Sequence, residues 1–179
     1  MRKRALPLSR VYGLLEPGPV VLLATSARGR PNVMPVSWHT MLEFEPPLVG
    51  CVVSDRNHSF AALSAMRECT LNVPGVELAR EVVRCGNASG REVDKFAAFG
   101  LTPVPASRVR PPLVAECWAN LECRVVDTRL VPRYGLFVLE VVKAWIDPSR
   151  RRRRRTIHHL GRGRFMVAGR EFRLASGKK

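Results

Sequence analysis

The chain has 179 residues, enough for one domain with a sizeable core and short for two. With 46% apolar and 25% charged residues it is neither a disordered nor a fibrous chain, and no apolar run nears the ~18 residues of a membrane span, so no membrane partner is expected. The net charge of +15 is uneven: Arg150–Arg155 supplies six charges, Arg2, Lys3 and Arg4 three, and Lys178 and Lys179 two, leaving a mildly basic body.

Residues 1–18 read as a basic leader. Ser9, Arg10, Glu16 and Pro17 break its apolar stretch, and VVLLA is too short for the hydrophobic region of a signal peptide, so the expected location is the cytoplasm. Residues 19–179 read as a single domain that includes the C-terminal segment 156–179. PVVLLAT (19–25) has the composition of a short strand, SARGRP is a turn, and NVMPVSWHTML (32–42) is a second extended run, so the two predict a hairpin. LVGCVVS (48–54) is apolar throughout, as a strand buried on both faces would be. Phe60, Leu63 and Met66 open a helix, CTLNV (69–73) returns to strand, and 76–85 is a second helix on the spacing of Val76, Ala79 and Val83. DKFAAF (94–99) is a helical fragment before the proline-rich connector at 102–112.

The clearest strand is 117–128, where Cys117, Ala119, Leu121, Cys123 and Val125 alternate with Asn120, Glu122 and Arg124. Its polar alternates, Glu122 included, are expected at a barrel rim or surface. Residues 135–147 form its antiparallel partner. About six strands, two or three helices and no strand–helix–strand rhythm predict a mainly β, antiparallel barrel with peripheral helices. The five cysteines, an odd number with no CxxC, are expected to be buried free thiols rather than a disulfide framework or a zinc site. No metal centre is expected.

Nucleophile elbows, paired carboxylates and phosphate-cradling glycine loops are missing from the sequence. Two segments remain chemically suggestive. Ser54-Asp55-Arg56-Asn57-His58-Ser59 leaves a strand and opens a helix, which suits either an anion site or an ordinary helix cap with solvated charges. Asn32, Ser37, Trp38 and His39 sit in an otherwise apolar strand interrupted by Pro35, which suits either a pocket wall or an edge strand with a core tryptophan.

Taken in order, PVVLLAT, PNVMPVSW, EPPLVGCVVSDRNHS, TLNV, DKFAAFGLTPVPAS, PPLVAECWANLECRVVD, LFVLEVVKAWID and TIHHLGRGRFMV resemble the flavin reductase-like family, in particular its flavoredoxin-type branch. The resemblance runs from about Pro19 to Val167. It implies an antiparallel, Greek-key-like FMN-binding split β-barrel that forms a homodimer. It also implies cofactor contacts from Asn32, Met34, Pro35, Val36, Ser37 and Trp38 to the ring, and from Cys51, Val52, Ser54, Arg56, His58 and Ser59 to the ribityl chain and phosphate. Asn72 and Lys95 are further carry-overs, and the C-terminal segment IHHLGRGRF places His158 or His159 near the cofactor. The cofactor so implied is FMN, with FAD as a substitute, and NAD(P)H is the co-substrate. The electron acceptor is not identified. A Gly-Asp-His motif found in two-component flavin reductases is replaced here by Val131-Pro132-Arg133-Tyr134-Gly135, which favours the flavoredoxin branch and leaves an electron carrier without reductase activity as the alternative. A nucleic-acid module built on Arg150–Arg155 is the competing class, but no recognition motif accompanies the run, so it reads as a solvated connection.

Overall fold

The computed structural model describes residues 18–149 and 155–170; the leader and most of the arginine run lie outside the described residues. Seven strands form one antiparallel sheet in the order β2-β1-β5-β8-β9-β4-β3. They are β1 (Val21–Ala27), β2 (Arg30–Val36), β3 (His39–Glu43), β4 (Leu48–Val52), β5 (Glu68–Val73), β8 (Ala119–Asp127) and β9 (Leu136–Ile146). Two small ladders, β6 (Pro103–Val104) with β7 (Leu113–Val114) and β10 (Ile157–His159) with β11 (Phe165–Val167), lie outside it. The expected mainly β, antiparallel architecture is what the chain adopts.

The run 32–42, expected as one strand, is divided at Ser37 and Trp38 into β2 and β3, which occupy opposite edges of the sheet. The Val52 N–H donates to the Trp38 carbonyl at 2.9 Å, fastening the corner to the end of β4. Alternate residues of the rolled sheet fill an inner core, including Val21, Leu23, Cys51, Leu71, Cys123, Phe137 and Leu139. Leu63, from α1 (His58–Met66), joins this core.

The opposite face of β1 is also covered. Val20, Leu22 and Ala24 pack in a second core with Val82 and Cys85 of α2 (Ala79–Asn87), Phe96 of α3 (Lys95–Phe99), and Ile157 of β10. The helix expected at 76–85 thus begins as a 3₁₀ turn, Val76–Leu78, and continues to Asn87. A short helix α4 (Val131–Tyr134) ends at Gly135, whose positive φ of 63° and close approach to the Val53 carbonyl leave no room for a side chain.

All five cysteines are free and buried, as expected. Burial, with Cys123 beside it, pushes the Cys51 thiol up to about 12, and the contact with Cys123 followed by burial raises Cys69 well above the ordinary thiol range. These are protonated packing groups.

Glu122 departs from the sequence reading. It is fully buried rather than a rim charge, because the 102–112 connector folds over its face of β8. Its carboxylate accepts from the Ser107 N–H and hydroxyl, the Arg108 N–H and the Trp145 indole N–H. Burial pushes its pKa up, but the Trp145 bond and the Ser107 and Arg108 donors outweigh that and hold it below the ordinary carboxylate value. A depressed folded-state pKa contributes stability above the unfolded value that disappears as pH falls through the folded one. Glu122→Gln is expected to cost about 1–3 kcal/mol at neutral pH. The gap from wild type should narrow in denaturant titrations as pH falls through the lowered Glu122 value, below which both side chains are uncharged.

Candidate functional site

A cleft runs along β2. Its middle section, about 400 Å³, lies between Asn32, Met34 and Pro35 on the strand and the C-terminal end of α2 with the loop that follows it. Arg56, His58 and Ser59 close one side. A second section of about 360 Å³ shares Pro35, Gly86 and Asn87 with it and continues to Ser37, His159 and Phe165.

Two glycines permit this narrow geometry. A Cβ on Gly86 would press on Pro35 at 3.1 Å, so α2 approaches β2 closely because that residue has no side chain. A Cβ on Gly90 would run into the Asn32 amide and the His58 ring.

The polar groups are positioned by local structure. Asp94 caps α3, its carboxylate accepting from the Phe96 and Ala97 N–H groups at 3.0 and 3.2 Å. That cap sets Lys95 at the first helical position, where its ammonium is buried against the cleft and donates to the Cys85 carbonyl at 2.7 Å. The last turn of α2 supplies that carbonyl and partial negative charge, which favours the cation. Burial nevertheless lowers the Lys95 pKa from its ordinary value. Asn32 is buried and donates from Nδ2 to the Ser59 hydroxyl at 2.8 Å, whereas its Oδ1 has no hydrogen-bond partner. At α1, Asn57 makes no side-chain capping bond, so the first turn is not closed in the manner of an ordinary cap. Among the described residues, no carboxylate lines either section. A buried cation, an uncapped helix start, serine hydroxyls and an arginine, with no opposing acid among the described residues, make a candidate anion site at one end of an otherwise apolar trough.

The expected site residues divide accordingly. Asn32, Met34, Pro35, Arg56, His58, Ser59 and Lys95 come together in one section, and Ser37 lies in the next. Val36 and Cys51 are instead buried in the inner core and line neither section. Val52 contributes its backbone to the Trp38 corner, and Ser54 is exposed, accepting from the Arg56 N–H at 3.3 Å. Trp38, expected on the cleft wall, is 53% exposed and outside it, because the chain turns at that corner. Asn72 is fully buried and donates to the Leu22 carbonyl and Thr70 hydroxyl while accepting from Val114 N–H and Asn120 Nδ2. With every amide position occupied it ties strands together and has nothing left for a ligand. His158 pairs with the Thr156 hydroxyl at 2.8 Å, and its neighbour His159 lines the cleft, tilted against Phe165 with ring centroids 5.0 Å apart. Sequence reasoning missed Gly86, Asn87, Ser89 and Gly90, although the short run GNASG after a helix carried a loop signal.

Residues 14–164 match the family described as "Flavin reductase like domain". The uncharacterized protein YddH of Escherichia coli (strain K12) is 32% identical over 169 residues, covering 87% of this chain and 89% of its own. The FMN-binding domain of a flavin reductases-like enzyme from Shewanella baltica OS155 superposes with a TM-score of 0.83 at 26% identity, over 96% of this chain and 97% of its own. Flavoredoxin of Desulfovibrio vulgaris (Miyazaki F) superposes with a TM-score of 0.87 at 23% identity, over 99% of both chains, and shares the fold.

Inorganic pyrophosphate is expected to raise the melting temperature of the wild type and to leave that of Lys95→Met unchanged. The Lys95 charge is lost as pH rises through its lowered pKa, so pyrophosphate affinity should weaken on the alkaline side before an ordinary lysine would titrate. Calorimetric titration across that range checks the sign.

Proposed function

The chain belongs to the flavin reductase-like family, and we propose that it is an FMN-binding oxidoreductase using a reduced nicotinamide nucleotide as electron donor. The observation that carries this reading is the β2 cleft, where an acid-free anion site with a buried ammonium adjoins an apolar trough of similar volume. The residues present fit the cofactor. The orphaned Asn32 Oδ1 faces a section in which Gly86 and Gly90 leave space that any side chain would fill. Bound FMN supplies hydride acceptance and release, so no protein nucleophile or paired carboxylate is required.

The chain's own residues then have holding and shielding roles. Lys95, Ser59 and Arg56 bind the phosphate, and the Asn32 amide orients polar groups beside it. Pro35, Val82 and Phe165 exclude water from the trough, and His159 lies at its open end. Cys85, though beside the cleft, is pushed up to about 11 chiefly by burial and stays a protonated wall group.

A second copy of the chain is the partner this reading assigns to the sheet edge. Trp38, Met41, Leu42 and Phe44 expose apolar surface on and beside edge strand β3, with Phe44 89% exposed. A homodimer that covers this edge would bury the corner next to the cleft.

Protein purified without added flavin is expected to be yellow, to release FMN on denaturation, and to oxidise NADH or NADPH with FMN present. Colourless protein that quenches no FMN fluorescence on titration would refute the proposal. Tight FMN binding without nicotinamide oxidation would identify an electron carrier instead. Light scattering should give a dimer, and Phe44→Glu with Met41→Glu should shift it to monomer.

A further inference from the structure

A third cavity, about 710 Å³, opens beyond the candidate anion site and shares Asn32, His58 and Gly90 with it. It lies along the outer end of the β1–β2 hairpin, with Ala62 of α1 and Arg91 of the loop after α2 on its other walls. Leu23 and Met34 are register partners at the barrel core, and two residues further out the partners are Thr25 and Asn32. Both side chains are buried, at 1% and 7% exposure, and both line the cavity. Asn32 Nδ2 is committed to the Ser59 hydroxyl, which leaves the amide Oδ1 and the Thr25 hydroxyl without hydrogen-bond partners. Leaving two such atoms unsatisfied costs the ligand-free protein stability. Side chains of paired strand residues stand about 5 Å apart. That is close enough for one ligand hydroxyl to donate to the amide oxygen and accept from the Thr25 O–H.

The rim is cationic. Arg28, Arg30 and Arg91 line the cavity, none forms an ion pair among the described residues, and no carboxylate lines it among them. Guanidiniums pair with phosphate and carboxylate oxygens alike, but three of them outnumber the two oxygens of one carboxylate and match the three of a phosphate monoester. The two features thus ask for different parts of one ligand: an alcohol hydroxyl at the buried pair and a phosphate at the arginines. The volume lies within the range of small-ligand pockets.

We infer that this cavity binds a small phosphate monoester that carries an alcohol hydroxyl, a phosphorylated polyol or sugar, at a site separate from the one at Lys95. The inference does not rest on the flavin reading, because neither Lys95 nor the apolar trough takes part in it. The hydroxyl requirement also sets the ligand apart from pyrophosphate, which has no alcohol group to offer Thr25 and Asn32.

The test is calorimetric titration of the wild type, Arg30→Gln, Arg91→Gln and Lys95→Met with glycerol 3-phosphate. The wild type is expected to bind it at least tenfold more tightly than inorganic phosphate, which lacks the alcohol, or malate, whose charges are carboxylates. Arg30→Gln and Arg91→Gln should each weaken glycerol 3-phosphate about tenfold, and Lys95→Met should leave it within twofold. Unchanged melting temperatures of the ligand-free variants report that they are folded. Loss of glycerol 3-phosphate binding in folded Lys95→Met places the ester in the Lys95 site and overturns the inference. A wild type with no preference for the ester overturns it too, as do arginine variants that bind the ester like the wild type. The arginine variants decide the point by themselves if Lys95→Met does not fold.

Discussion

The two edge strands of the sheet are consecutive in the chain, and this constraint shapes the rest of the molecule. β2 passes into β3 through only Ser37 and Trp38, while six other pairings separate them around the sheet. Edges so far apart in pairing order and so close in sequence meet only if the sheet rolls up. The bond from Val52 N–H to the Trp38 carbonyl holds the corner, and a barrel with one split follows. The split matters because β2, paired on one side only with β1, is the strand along which the cleft runs.

A second consequence concerns β1, which lies between two cores. Leu22 and Leu23 are both at 0% exposure, one facing the helices and the other the barrel interior. A central strand of this kind cannot shift register without exposing one face and burying the wrong groups on the other. Asn72 fixes that register from the side chain, linking Leu22 on β1, Thr70 on its own strand, Val114 on β7 and Asn120 on β8. The outer helices are therefore seated on a rigid base. α2 and α3 are further joined by the Arg84 guanidinium over the Phe99 ring at 4.5 Å. Lys95 inherits its position from that assembly.

Much of this was legible in the sequence, and the exceptions have physical reasons. Strand runs such as 48–54 and 135–147 declared themselves because burial on one or both faces leaves a pattern in residue type. The break in 32–42 did not, because Ser37 is a single weak turn residue within an extended run and the corner is fastened by a distant strand end. Glu122 was misplaced because alternation says which side a residue faces and not what later covers that side. Here it is the connector whose Ser107 and Arg108 satisfy the carboxylate. The anion site was half legible. Arg56, His58 and Ser59 are neighbours in sequence, whereas the loop at 86–90 meets them only through tertiary packing. Asn72 and His158 carried the right residue type at the right place in the motif order. Side-chain direction, a property of the folded strand, gave Asn72 to the core and the cleft to His159.

The groups gathered at the cleft cost the ligand-free protein stability. A buried ammonium with a lowered pKa and an amide oxygen without a donor are each unfavourable in isolation. Packing that fills the two cores, not the polar groups of the site, must hold these elements in place before anything binds. An anionic ligand that also carries hydroxyl groups would offset these terms: its charge favours the ammonium, its hydroxyls donate to the amide oxygen, and its bulk fills the space that Gly86 and Gly90 keep open. The same residues that weaken the empty fold are thus the ones that couple binding to stability, and the coupling grows with ligand concentration above the dissociation constant. The arginine run falls between β9 and β10 in the chain, and among the described residues the cationic groups that line the cleft come from other elements.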